Sequence, residues 1–162
     1  MRRGVRVAVD VGSVRVGVAR SDPDGILATP VETVARTATD DGTERIAAIV
    51  AELEAFEVVV GLPRSLDGRN RQAAGLARSY ARTLARRIPG VPIRMVDERF
   101  TSATAHQAMT ASGLGSRSQR AVVDQVAAVI VLQHALDSER STGREPGQLV
   151  KAGASAAKGA TP

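Results

Sequence analysis

The stretch Val5-Arg-Val-Ala-Val-Asp-Val-Gly-Ser-Val-Arg-Val-Gly-Val-Ala19 decides how the rest of the chain is read. Val5 to Val11 is apolar and β-branched apart from Arg6 and Asp10, the pattern of a buried strand. Gly12-Ser13 offers a turn and Val14 to Ala19 a second strand, so the two form a hairpin. Within it, Asp10 is out of place. An unpaired carboxylate in an apolar strand costs several kcal/mol by desolvation, so Asp10 needs a cation or donors beside it.

Asp22-Pro23-Asp24-Gly25, just beyond the hairpin, is a strong turn signal. Ile26 to Val34 then returns as a third antiparallel strand, and Pro30 marks it as an edge. From Asp41 the spacing becomes helical, with Ile46, Ile49, Val50 and Leu53 on one face and Asp41 with Glu44 in a capping arrangement. Glu57 to Gly61, around Val58-Val59-Val60, is short enough to be a buried strand.

A second helix carries its apolar stripe from Ala73 to Ile88 and ends at Pro89-Gly90. Arg71, Arg78, Arg82 and Arg86 fall off that stripe, which reads as a solvated face. Val91 to Val96 is a fifth strand that stops at Asp97-Glu98. Thr101 to Ala111 has helical character, and Ser112 to Ser118 is a Gly/Ser/Arg loop. Ser116 with Gln119 fits a capping box for a last helix, apolar nearly all round, that runs to about Ser138. Beyond Glu139 no periodicity remains, and residues 139–162 read as a disordered tail. The order of elements suits one domain with a mixed five-stranded sheet, three antiparallel strands then two parallel, and helices on both faces.

Composition narrows the function classes. With 162 residues and 43% hydrophobic content the chain supports one core. Aromatics are 2% of it, which removes the stacking platforms used on unpaired bases. There is no cysteine, so disulfides, thiolate metal sites and cysteine nucleophiles are excluded together. The net charge of +5 comes almost wholly from arginine and fits a polyanionic partner, although genome base bias produces the same composition. Arg6 and Asp10 break the first apolar stretch, so it is neither signal peptide nor membrane span. These features predict a cytoplasmic protein with no membrane partner.

Two further carboxylates are awkward for folding alone. Asp124 lies about two turns inside the last helix, among Ala121, Ala127, Ala128 and Val131, beyond the reach of the helix dipole. Glu98 and Asp97 end the fifth strand side by side and face opposite ways, so one of them joins a shared site and spacing does not choose which. Convergence of Asp10, Asp124 and one of this pair on Mg²⁺, a hard ion that prefers oxygen ligands, would explain all three at once. The plain alternative is satisfaction by backbone amides for Asp10 and Asp124, and a surface role for Asp97 and Glu98.

Four segments carry a resemblance: Asp10-Val-Gly-Ser-Val-Arg-Val-Gly-Val-Ala, Gly61-Leu62-Pro63 followed by Asp67-Gly68, Asp97-Glu98-Arg99 with Thr101, and Val123-Asp124-Gln125-Val126-Ala127-Ala128. In order and spacing, over about residues 5 to 136, they resemble the YqgF family of Holliday-junction resolvases and nucleases that mature the small-subunit ribosomal RNA precursor. The resemblance implies a ribonuclease H-like nuclease domain over residues 1–138. It also implies an acidic site at Asp10, Glu98 and Asp124 that binds Mg²⁺, with Mn²⁺ as a substitute. On this ground Glu98 is preferred to Asp97. Val14 and Arg20 depart from the family's first motif, and Arg69-Asn70 stands where a second glycine is usual.

Arg15, Arg99, Arg117 and Arg120 are candidate backbone contacts for nucleic acid, and Ser13 and Thr101 candidate donors to phosphate. A surface arginine, a turn residue and a helix cap are the corresponding structural roles. His106 and His134 have no second histidine at ligand spacing and receive no catalytic role. Gly12 and Gly17 would let a phosphate approach the hairpin, while Gly61 and Pro63 shape the loop at a strand end.

The expected activity is Mg²⁺-dependent hydrolysis of branched DNA or precursor ribosomal RNA, by a monomer or homodimer. The alternatives are a non-catalytic nucleic-acid-binding module in ribosome assembly or transcription, and an ATP-binding lobe, because the Asp-x-Gly hairpin also resembles the actin and sugar-kinase phosphate motif.

Overall fold

The computed structural model of the chain describes residues 1–63, 68–98 and 116–151. Its elements, in chain order, are β1 (Arg6–Val11), β2 (Arg15–Ser21), β3 (Ala28–Ala35), α1 (Thr43–Glu52) and β4 (Glu57–Pro63). They continue as α2 (Gly68–Arg87), β5 (Ile93–Glu98), α3 (Ser116–Thr142) and β6 (Gln148–Leu149). The strands form one sheet in the order β3-β2-β1-β4-β5-β6. β1, β2 and β3 pair antiparallel, whereas β4 runs parallel to β1 and β5 parallel to β4. Thus the mixed sheet expected from the sequence is present, and β3 is an edge, where Pro30 costs no ladder bond.

Strand alternation divides the core into two layers. Val7, Val9, Val16, Val18, Val58, Val60, Leu62, Ile93 and Met95 face α1 and α2 and make the larger layer. Ala8, Ala19, Val59 and Val96 face the other way, onto Ala128, Val131, Leu132, Ala135 and Leu136 of α3. Small residues dominate the strand side of this second layer, and a helix can therefore lie close on the sheet.

Three expectations require correction. α1 has Gly42, at φ 84°, as its N-cap, and Asp41 instead accepts from the amide and hydroxyl of Thr43. The sheet has a sixth strand, since Gln148–Leu149 pairs antiparallel with Arg94 and Met95. Order also continues past Ser138: α3 runs to Thr142, and the Glu139 side chain is buried in ion pairs with Arg2 and Arg6. A strand of two residues has no periodicity to read, and the partners of Glu139 are 137 and 133 residues away in sequence. The expected helix over 101–111 lies outside the described residues. Among the described residues no helix is long and apolar enough to cross a membrane.

Candidate active site at the end of the central strands

β1, β4 and β5 are mutually parallel, so their last residues come to the same end of the sheet. Asp10 lies at that end of β1, and Glu98 is the last residue of β5. Asp10 shares its face with Ala8, and Glu98 shares its face with Val96; both residues therefore point to the side covered by α3. Asp97 has the opposite parity and is exposed on the other face. The choice that spacing left open is thus made by the sheet.

β4 separates β1 from β5, so Glu98 must reach across it to meet Asp10. Gly61 makes the gap. A Cβ there would come 2.5 Å from Glu98 Oε2 and 3.1 Å from Val131 Cγ2, so any side chain would push the glutamate away. Gly61 is a strand residue that leaves room for a carboxylate, not a residue that shapes a loop. The Glu98 side chain hydrogen-bonds the Asp10 carboxyl. Burial first, then the charge of Glu98, with a smaller effect from Asp124, push the Asp10 carboxyl well above the usual carboxylate range. Two carboxyls in contact hold a proton between them or attract a cation.

Asp124 reaches the same end from α3. Gly17, paired with Asp10 across the β1–β2 ladder, lies directly beneath it. A Cβ at position 17 would fall 1.8 Å from the Asp124 carbonyl oxygen, so glycine is what allows α3 to seat here. Its role is helix packing, not phosphate approach. The Asp124 carboxylate takes a hydrogen bond from Arg15, Nε to Oδ2, at 2.6 Å. Among the described residues no three acidic or histidine side chains are gathered into a ready-made cage for an ion. Asp10 and Glu98 form a pair, and Asp124 stands next to it, occupied by Arg15.

The donor set nevertheless fits a hard divalent cation, since it consists of carboxylate oxygens with no nitrogen or sulfur. Of the expected nucleic-acid contacts, Arg15 is at the site and Ser13 is exposed on the adjoining turn. Arg99 and Thr101 lie outside the described residues, as do the side chains of Arg117 and Arg120.

Sequence reasoning missed Arg36. Its guanidinium donates to the Gly12 carbonyl at 2.8 Å and its amide to that of Val14 at 2.8 Å. It also lies over the Tyr80 ring, 4.9 Å from the centroid, so α2 braces the turn next to Asp10. A lone arginine after an edge strand carries no signal of this.

Residues 4–138 match the family described as RuvX: Holliday junction resolvase. A Streptomyces coelicolor protein named "Putative pre-16S rRNA nuclease" is 56% identical over 151 residues, covering 93% of this chain and 90% of its own length. A Thermobifida fusca protein of the same name is 54% identical over 158 residues, covering 93% and 98%. Among solved structures, Thermus thermophilus RuvC in complex with a Holliday junction substrate superimposes with a TM-score of 0.53 at 16% identity, covering 86% of this chain and 97% of that one. A second Thermus thermophilus RuvC structure gives 0.50 at 17% identity, covering 85% and 97%. That likeness establishes the ribonuclease H-like fold, and the family match over residues 4–138 with relatives above half identity establishes that the chain belongs to the RuvX family.

Proposed function

We propose that the chain is a Mg²⁺-dependent nuclease that hydrolyses phosphodiester bonds in structured nucleic acid, with Asp10, Glu98 and Asp124 as its catalytic carboxylates. The observation that carries this reading is the contact between the Asp10 and Glu98 carboxyls, made across a glycine at the open end of the sheet. Folding alone has no use for such a pair. Burial and the charge of Glu98 raise the cost of ionising Asp10, and a cation beside the pair would offset that cost.

In this reading Asp10 and Glu98 are the primary oxygen ligands, and Asp124 completes the set from α3. A divalent cation held there would screen the charge of the phosphate and make water a competent nucleophile near neutral pH. Arg15 pairs with Asp124 in the free protein, and on this reading its guanidinium would transfer to a phosphate oxygen when substrate arrives. Ser13 is exposed on the hairpin turn that leads into Arg15.

The names of the relatives favour precursor 16S ribosomal RNA as substrate, and the family description favours a four-way DNA junction. Both present the same phosphodiester to the same carboxylates. A cleavage panel of the ribosomal precursor, a four-way junction, a linear duplex and an RNA–DNA hybrid separates them. Wild-type protein should cut at least one with Mg²⁺, and Asp10→Asn should lose about a hundredfold or more in rate. Undiminished Mg²⁺-dependent cutting by Asp10→Asn would sink the proposal.

A further inference from the structure

α2 contains six arginines and no acidic residue in its twenty positions. Since the whole chain has a net charge of +5, this helix carries more positive charge than the protein has in excess. At about 100° per residue, Arg71, Gly75, Arg78, Arg82 and Arg86 fall within roughly 80° of one another, a single stripe along the helix. The side facing the sheet carries Ala74, Ala77, Tyr80, Ala81 and Leu84. Arg71, Arg78, Arg82 and Arg86 are all exposed. Among the described residues, Arg71, Arg78 and Arg82 have no carboxylate partner, in contrast to Arg45 on α1, which pairs with Glu32 and Glu52.

Folding does not account for the stripe. Arg86 sits in the last turn, where a cation suits the helix dipole, but Arg71 is one turn from the positive N-terminal end, where a cation is unfavourable. Arg78 and Arg82 also line a groove of about 610 Å³ together with Lys151 and His134, and this groove extends to Asp97, the neighbour of Glu98 in the chain.

We infer that the arginine stripe of α2 is a second contact surface for nucleic acid, one that grips the phosphate backbone of a double-stranded arm away from the scissile bond. This rests on the nucleic-acid reading above and adds where the rest of the substrate lies. From Arg71 to Arg86 the helix rises about 22 Å. That is the length of roughly six phosphates of one strand. Guanidinium forks suit phosphate oxygens, and the contacts carry no base information. A duplex is the fitting occupant because, among the described residues, the face offers no aromatic ring for unpaired bases: Tyr80 is buried beneath it, and Phe56 is covered by Arg2 and Arg6.

The test is binding, measured without divalent cation so that no strand is cut. The fluorescence anisotropy of a labelled RNA duplex and of a labelled four-way DNA junction is followed against salt concentration. For the double variant Arg78→Ala/Arg82→Ala, the slope of log affinity on log salt should become shallower by about 1.8, with affinity about tenfold weaker near physiological salt. Arg3→Ala, an exposed change off the stripe, should leave the slope as it is. Gly75→Arg places a new cation on the stripe, where a Cβ meets nothing within 4 Å, and should steepen the slope by about 0.9.

Wild-type slopes on both probes for the double variant and for Gly75→Arg would overturn the inference, as would failure of the wild-type protein to bind either probe. Cleavage is read separately. If Asp10→Asn still cuts, the hydrolytic reading fails while the stripe stands; if the arginine variants keep the wild-type slope, the stripe fails while hydrolysis stands.

Discussion

Gly17 and Asp124 are in backbone contact: the carbonyl of Asp124 occupies the space that a side chain at position 17 would fill, directly over the residue paired with Asp10. The absence of one methyl group thus sets how close the third carboxylate comes to the other two. Gly17→Ala should lift α3 from β2, costing about 1–3 kcal/mol in unfolding free energy as overpacking does. Mg²⁺-dependent cleavage should fall by more than the stability loss explains. A variant with wild-type melting and wild-type cleavage would show that α3 does not need this seat.

The Asp10–Glu98 pair gives the metal-free protein a definite pH dependence. Because burial and Glu98 raise the Asp10 carboxyl in the folded state, the folded chain keeps a proton that the unfolded chain releases. The stability this contributes is complete below the ordinary carboxylate range and is lost as pH rises through the raised value. In EDTA, the melting midpoint should therefore fall as pH rises above the ordinary carboxylate range. Asp10→Asn should flatten that fall, and Mg²⁺ should lift the neutral midpoint of the wild type alone. A flat wild-type profile would contradict the pairing.

Arg15 pairs with Asp124, so under the proposed mechanism it competes with the cation for that carboxylate. The pair is partly exposed, so it is worth at most about 1 kcal/mol. Arg15→Gln should accordingly tighten Mg²⁺ binding by no more than about fivefold in calorimetry, while raising the KM for nucleic acid. Weaker Mg²⁺ binding would mean that Arg15 orients Asp124 instead of occupying it.

At the opposite end of the sheet, Arg6 and Glu139 are almost fully buried and pair at 3.0 Å, with Arg2 bonded to both Glu139 and Glu57. Removing one partner strands the other in the core, at a cost of about 3–5 kcal/mol. Glu139→Ala should lower the melting midpoint by about 10 °C. Truncation after Ser138, which also removes β6, should cost at least as much. Cleavage per folded molecule should be unchanged by Glu139→Ala, since the network lies at the far end from Asp10.

Much of this site was legible in the linear sequence because it offends simple folding rules. Asp10 in an apolar strand and Asp124 two turns inside an apolar helix each demanded an explanation that local structure did not supply. Other parts were hidden for physical reasons. Glu98 and Asp97 are equivalent until strand parity is referred to a particular neighbour, and Gly61 reads as a loop residue until β5 is laid beside it. Arg36 works through Gly12 and Tyr80, neither of them near it in sequence.

Local pattern alone determined the first five strands, the helices among the described residues and which carboxylates were anomalous, because periodicity and desolvation cost are properties of neighbouring residues. Tertiary structure decided which carboxylates meet, how closely α3 sits on Gly17, and that Glu139 and residues 148–149 belong to the ordered domain. These depend on contacts between residues up to 137 positions apart, where no short-range pattern reaches and only the stacking of one element on another sets the distance.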